Sequence, residues 1–209
     1  MRPRHAPSAR WRRRAEARPD EILDAALEEF EAQGFDAARV EDIAARAGLS
    51  KAGVYLYFDS KAALLEALIR REVAPVAARA EAIALAGVAD PPAALRAMAT
   101  FAFGALANPR IFAVPRLVLS ISKRFPEIAG VYRAEVIDRA RGALIAIVRA
   151  GVARGDFRKV DAEAAVRLVV GPMLMEALLR HAFGARDIIV DPSQLFELAL
   201  SALAPERAA

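Results

Sequence analysis

Side chains able to do covalent, acid-base or metal chemistry are scarce in this 209-residue chain. It contains no cysteine and two histidines, His5 and His181, which removes disulfides, thiolate metal sites and cysteine nucleophiles. Zinc clusters and Ser-His-Asp catalysis need more imidazole, or better-placed imidazole, than these two supply. Glu176, Arg180 and His181 fall at i, i+4 and i+5 of one late helix, but no further histidine or carboxylate cluster accompanies them. They read as a surface ion pair beside an ordinary histidine. The richer set lies between positions 39 and 61: Arg39, Ser50, Lys51, Tyr55, Tyr57 and Lys61. These are cations, phenols and a hydroxyl without a nucleophile-base pair, a set that suits holding phosphates and base edges rather than breaking bonds. No enzyme, no metal and no cofactor is expected.

Charge is unevenly distributed. Residues 1–19 carry a net +6, residues 20–61 a net −6 and residues 62–209 a net +4, which together give the overall +4 and a pI near 9.8. The basicity therefore belongs mainly to an arm, residues 1–18, with Arg2, Arg4, Arg10, Arg12, Arg13, Arg14 and Arg18. Without apolar periodicity it reads as disordered, either a solvated tail or a basic arm that reaches a minor groove. It lacks an apolar core, so no signal peptide is expected. The longest nearly apolar run, residues 97–107, is too short to span a membrane. A cytoplasmic location follows as the default.

The elements that must position the polar set are helical. Fifty residues are alanine, the strongest helix former. From Asp20, Ile22, Leu23, Ala26, Leu27 and Phe30 recur at helical spacing beneath Glu21, Asp24, Glu28, Glu29 and Glu31, and Gly34 suits the left-handed position that ends a helix. A second helix is expected over 40–47, with Val40, Ile43, Ala44 and Ala47 inward, and a third over 51–58 behind Ser50 as N-cap. Gly48-Leu49-Ser50 between them makes a helix-turn-helix. Longer helices follow over 61 to about 85, 92–107, 109 to about 123, 126 to about 154, 161–183 and 192–203, punctuated by proline and glycine. No segment alternates with period two, so the fold class is all-α.

The run GFDAARVEDIAARAGLSKAGVYLYFDSK, residues 34–61, resembles the DNA-binding domain of the TetR family of bacterial transcriptional regulators. The likeness rests on Gly34-Phe35, Ile43-Ala44, Arg46-Ala47-Gly48, Ser50-Lys51, Tyr55, Tyr57-Phe58, Lys61 and Leu64-Leu65 and extends over about residues 18–70. It implies a DNA-binding domain over 19–66, with the helix-turn-helix at about 40–59, and a helical ligand-binding and dimerisation domain over 67–209. The segment RFPEIAGVYRAEVI, residues 124–137, is similar to one in many members. The resemblance also implies that the third helix reads DNA, that Tyr55, Tyr57 and Lys61 hold phosphates, and that the chain near Arg39 meets DNA. One departure is that Ala38-Arg39 stands where the family has Thr or Ser as N-cap.

The residues support that site independently. On a helical wheel with Val54 at the origin, Phe58 lies at about 40°, Ala52 at about 160°, Leu56 at about 200° and Gly53 at about 260°, with Tyr55 and Tyr57 flanking at about 100° and 300°. Ala52, Gly53 and Leu56 thus face out, and two phenols flank them at the walls of a groove. No Asn or Gln lies on this helix. Readout is expected from Lys51, Arg39 and Ser50 on guanine and phosphate, from Ala52 or Leu56 on thymine methyls, and from DNA shape.

In the later helices, Met98, Phe101, Phe103, Phe112, Met173 and Met175 are candidates for a ligand pocket or for plain core, and the resemblance implies an apolar cavity among them. Ala140, Ala143, Ile147 and Gly151, with Leu168, Gly171 and Leu178, are small or apolar positions that let helices approach closely. The resemblance implies a four-helix dimer interface in this region. One short recognition helix reads few base pairs, so a two-fold pair on a palindrome is expected. The reading is a homodimeric repressor bound to double-stranded operator DNA and released by a small apolar effector, with no membrane partner. Its competitors are an activator of the same fold, a dimeric scaffold or sequestering protein with vestigial DNA binding, and an enzyme with a DNA-binding appendage.

Overall fold

The computed structural model describes residues 9–87, 89–185, 187 and 190–205, the side chains of 9–17 and 192 excepted. All regular structure among them is helical, in two units that divide between Leu68 and Ile69.

The first unit contains α1 (Ala9–Ala37), α2 (Val40–Arg46), α3 (Lys51–Tyr55) and α4 (Lys61–Leu68). Residues 1–8 of the expected arm lie outside the described residues. From Ala9, however, the backbone is helical and continues across Pro19, so the expectation of a disordered segment is corrected for residues 9–18. Alanine and arginine are both strong helix formers, enough here to carry the helix past a proline that supplies no N–H. Gly34 breaks α1 with φ 79° and ψ 160°, a left-handed φ that a β-carbon would strain. The chain then turns Phe35 back onto Phe30, ring centroids 5.2 Å apart. Ile22, Ala26, Phe30, Ile43 and Val54 are essentially inaccessible and form the core.

The second unit opens with a π-helical turn, Ile69–Val73, followed by α5 (Ala74–Ala86), α6 (Pro91–Ala107), α7 (Pro109–Ile121), α8 (Pro126–Tyr132), a second π-helical turn (Arg133–Ile137), α9 (Asp138–Arg154), α10 (Ala162–His181) and α11 (Pro192–Leu203). The helices expected over 61–85 and 126–154 are thus each interrupted. At the first interruption Pro75 gives the reason, since its ring clashes with the carbonyl four residues back and a wider turn relieves this. Four helix starts share one chemistry: Asp90, Asn108, Asp161 and Asp191 each accept from a backbone N–H of the first turn at 2.8 to 3.0 Å. Leu95, Met98, Leu144, Ile147, Val148, Val166, Val169, Met173, Leu200 and Leu203 make the core of α6, α9, α10 and α11. Among the described residues no single helix is long and apolar enough to cross a membrane.

Glu72, in the first π-helical turn, is gripped by Arg110 of α7 at 3.0 and 3.1 Å and by Arg71 at 2.9 Å. Burial alone would raise its carboxyl, but the two guanidinium groups outweigh that and hold it below the usual range. A depressed carboxylate stabilises the fold above its unfolded value, and that stabilisation is lost as pH falls through the folded value. The urea midpoints of the parent and Glu72→Gln are therefore expected to differ at about pH 7 and to converge towards about pH 3.

Candidate nucleic-acid interface

The turn between α2 and α3 is built by Gly48 at φ 65° and closed by Leu49 N donating to Ala44 O at 2.8 Å. Ser50 Oγ then accepts from Gly53 N at 3.1 Å and starts α3. The helix is shorter than expected, ending at Tyr55, yet Phe58 N still reaches Val54 O at 3.1 Å, so the wheel holds through Phe58. Val54 is fully buried, whereas Leu56 is 83% exposed and Ala52, Tyr55 and Tyr57 are exposed beside it. Gly53 departs from the outward set. It is half-buried, and a β-carbon there would lie 3.4 Å from Ser50 Oγ and 3.5 Å from Leu49 Cβ.

The two lysines are used differently. Lys51 Nζ donates to Glu41 Oε1 at 2.7 Å and sits 5.9 Å from the centroid of the Tyr55 ring. The Lys51 hydrogen bond holds the Glu41 carboxyl below its usual range, and Glu41 raises the Lys51 ammonium in turn. Lys61 is held by the loop before α2 in the DNA-free structure. Its ammonium donates to Asp36 O and Ala38 O at 2.9 Å each, 4.9 Å from the centroid of the Phe35 ring. Three N–H donors on a flexible stem satisfy the loop carbonyls left bare between α1 and α2, so in this structure Lys61 clamps the entry to α2. Arg39 is exposed at the N-cap of α2 and makes no side-chain cap. Arg39→Ser is expected to raise stability by about 1 kcal/mol by supplying that cap, read as a higher thermal midpoint; an unchanged or lower midpoint would contradict the open cap.

A clamp that the sequence reading missed holds α1 to α2. Glu29 is buried, and its carboxylate takes Arg46 Nε at 2.8 Å and Gln33 Nε2 at 2.8 Å, while Arg46 also reaches Glu28 at 3.0 Å. The signal was available: at 100° per residue Glu29 falls about 20° from Ile22, on the rim of the apolar arc, while Glu28 lies on the far side.

In the second unit, Met98, Phe112 and Met173 are buried and Phe101 and Phe103 half-buried. Phe103 and Met173 share a small cavity of about 30 Å³ with Leu106, Ala107, Glu176, Ala177 and Arg180. Phe112 stacks on His181, centroids 5.2 Å apart, and His181 Nε2 meets Leu106 O at 3.1 Å. Met175 is 53% exposed and does not line that cavity. The Glu176 reading is corrected as well: it is buried and accepts from Val190 N at 3.2 Å rather than forming a surface ion pair. Of the dimer candidates, Ala143, Ile147 and Gly151 lie in the unit's own interior and Ala140 is half-buried. A β-carbon on Gly151 would lie 2.2 Å from Phe157 Cδ2, so the small residue there admits a ring of its own chain. Leu168 and Gly171 are exposed and Leu178 is half-buried on α10.

Comparison with known proteins agrees with this architecture. Residues 22–68 match the model of bacterial regulatory proteins, tetR family, and residues 89–191 match that of the tetracyclin repressor-like C-terminal domain. The chain is 29% identical over 157 residues, 73% of its length and 74% of the relative's, to the HTH-type transcriptional repressor KstR2 of Rhodococcus jostii. It is 44% identical over 59 residues, 28% of each chain, to the HTH-type transcriptional regulator RutR of Escherichia coli. The solved structure of SmeT, the repressor of the Stenotrophomonas maltophilia multidrug efflux pump SmeDEF, superposes with a TM-score of 0.71 at 24% identity, covering 90% of this chain and 91% of that one. PfmR of Thermus thermophilus gives 0.65 at 28% identity, covering 89% and 99%. With a helix-turn-helix whose second helix is exposed along its outer face, and with both family models matched in order, the chain belongs to the TetR family of helix-turn-helix transcriptional regulators, a non-enzymatic family.

Proposed function

We propose that this regulator is a homodimeric repressor that binds operator DNA through two copies of α3 and leaves it when a small apolar ligand enters the C-terminal unit. The observation that carries the reading is the outer face of α3 and its following turn. Ala52, Leu56, Tyr55 and Tyr57 are all exposed there, with Lys51 at its start. Small and apolar groups in the middle let the helix sit close to base edges, and flanking phenols suit the phosphate walls. The names of its relatives favour repression over activation, KstR2 and SmeT both being described as repressors.

For the dimer the supporting feature is the outer face of α10, where Ala164, Leu168, Gly171, Leu174 and Met175 form an exposed, mostly apolar row. Rows of this kind are usual where chains associate. The α9 positions are left out of this seam. Operator binding would require access to chromosomal DNA, which in a bacterium means the cytoplasm. Release by ligand would follow from a population shift, the ligand binding better to a conformation whose two reading helices no longer match successive major grooves.

Fluorescence anisotropy with duplex DNA from upstream of the protein's own gene tests the reading. Saturable binding with a stoichiometry of two chains per site is expected, lost in a Leu56→Glu variant. Binding no tighter than to unrelated duplex would overturn it and favour the scaffold reading. Specific binding that raises reporter transcription would replace repressor by activator.

A further inference from the structure

The unit that carries the reading helix is itself acidic. Residues 20–68 hold eleven acidic and four basic side chains, a net of −7. Three of those four cations are already engaged in the DNA-free structure: Arg46 by Glu28 and Glu29, Lys51 by Glu41, and Lys61 by two backbone carbonyls. A duplex carries one negative charge per about 1.7 Å of its axis, so a unit of this charge approaches it against repulsion. Attraction must come from elsewhere in the chain. The second unit has a net +5 spread over 141 residues, whereas residues 2–18 hold seven arginines against Glu16 alone.

The backbone is helical from Ala9 and continuous with the rest of α1 as far as Gly34. At 100° per residue, positions 10, 13, 14 and 18, all arginine, share an arc of about 140°, and positions 12 and 16 lie outside it. The arc is centred about 150° from the buried positions Ile22, Ala26 and Phe30 and runs about 12 Å along the helix. Trp11 is the one large apolar residue between positions 9 and 18, too little to anchor the segment in a bilayer. We propose that residues 10–18 are a second DNA-contacting element, a helical arginine face that holds duplex phosphates beyond those reached by α3. It rests on the operator reading above and adds to it. Phosphates carry no sequence information, so the arm strengthens binding to any duplex and leaves the choice of site to α3.

Fluorescence anisotropy of the full chain between about 50 and 200 mM salt tests this, on duplex from upstream of the gene and on an unrelated duplex. Arg10→Gln, Arg13→Gln, Arg14→Gln and Arg18→Gln are combined in one variant, glutamine being as good a helix former as arginine. The slope of log affinity against log salt is expected to flatten on both duplexes by about 3.6 to 7.2, for two to four phosphates per copy in two copies at about 0.9 each. The ratio of the two affinities should stay within about three-fold. Arg→Lys at the same four positions keeps the charge and should hold the slope within about 0.9 of the parent's, which separates lost charge from a damaged helix. Arg14→Gln alone should flatten it by about 1.8, and Arg12→Gln, off that arc, hardly at all. An unchanged slope in the fourfold glutamine variant, an equal loss with lysine, or equal effects of Arg12→Gln and Arg14→Gln overturns the proposal. So does a loss confined to the upstream duplex, or binding to phosphatidylglycerol vesicles that the variant loses while its DNA binding is unchanged. Upstream duplex bound no more tightly than the unrelated one removes the operator reading, and the slope on the unrelated duplex still decides the arm.

Discussion

Phe157→Ala is expected to destabilise the C-terminal unit by about 3 to 5 kcal/mol, the range for emptying a buried aromatic site. The ring is 3% exposed and lies in the space that Gly151 leaves on α9. The backbone cannot readily collapse into the gap, because Phe157 N donates to Gly151 O at 3.1 Å and Arg158 N donates to Leu203 O at 2.9 Å, tying the turn to both α9 and the end of α11. Arg158 Nε adds a bond to Ala202 O at 2.8 Å. Urea denaturation gives the loss directly, and a cost below about 1 kcal/mol would mean the site closes up. Gly151→Ala probes the same contact from the other side. Its methyl overlaps the ring, so a cost of about 1 to 3 kcal/mol is expected despite the gain of about 1 kcal/mol in helix propensity. Were Gly151 on a seam between copies, the substitution would change how dissociation depends on protein concentration and spare the isolated fold.

The second large effect concerns DNA. Lys51→Met is expected to weaken operator binding and to flatten the slope of log affinity against log salt by about 1.8, two copies at about 0.9 each. Lys51 is shared in the free protein with Glu41, so Glu41→Gln should act in the opposite direction and tighten binding by removing a competing anion beside the phosphates. Tyr55→Phe and Tyr57→Phe should each weaken binding by about ten-fold if the phenol donates to phosphate. Lys61→Met is the contrast. Its ammonium is held by Asp36 O and Ala38 O, so it should lower the melting temperature and leave the salt slope unchanged. A slope that falls with Lys61→Met and stays put with Lys51→Met would reverse the roles assigned to the two lysines.

Much of this architecture was legible in the chain, for identifiable reasons. Proline one or two residues past Asp90, Asn108 and Asp191 marks helix starts because capping and a missing N–H act locally. The inward turn of Val54 and the exposure of Leu56 follow from helical period alone. What escaped depends on neighbours distant in sequence. Lys61 looks like a cation at the edge of a reading surface, and its hydrogen bonds to Asp36 O and Ala38 O, more than twenty positions back, carry no sequence signal. Glu176 reads as surface polar, and its burial and its bond from Val190 N, 14 positions on, carry no local signal. Small residues such as Ala143 and Gly151 signal close approach without saying whether the approaching group belongs to the same chain or to another copy. Here, for these two, it belongs to the same chain.

The clamp between α1 and α2 has a consequence for how the protein responds to its solution. Glu29 is shielded from water, whereas Lys51 and Glu41 are about half exposed. Mobile ions screen the exposed pair strongly and the enclosed carboxylate hardly at all. Rising salt should therefore empty the operator long before it loosens the helices that present the reading surface. A fall in operator affinity over that range of salt is therefore expected to come from the interface itself and not from unfolding of the helices that present it.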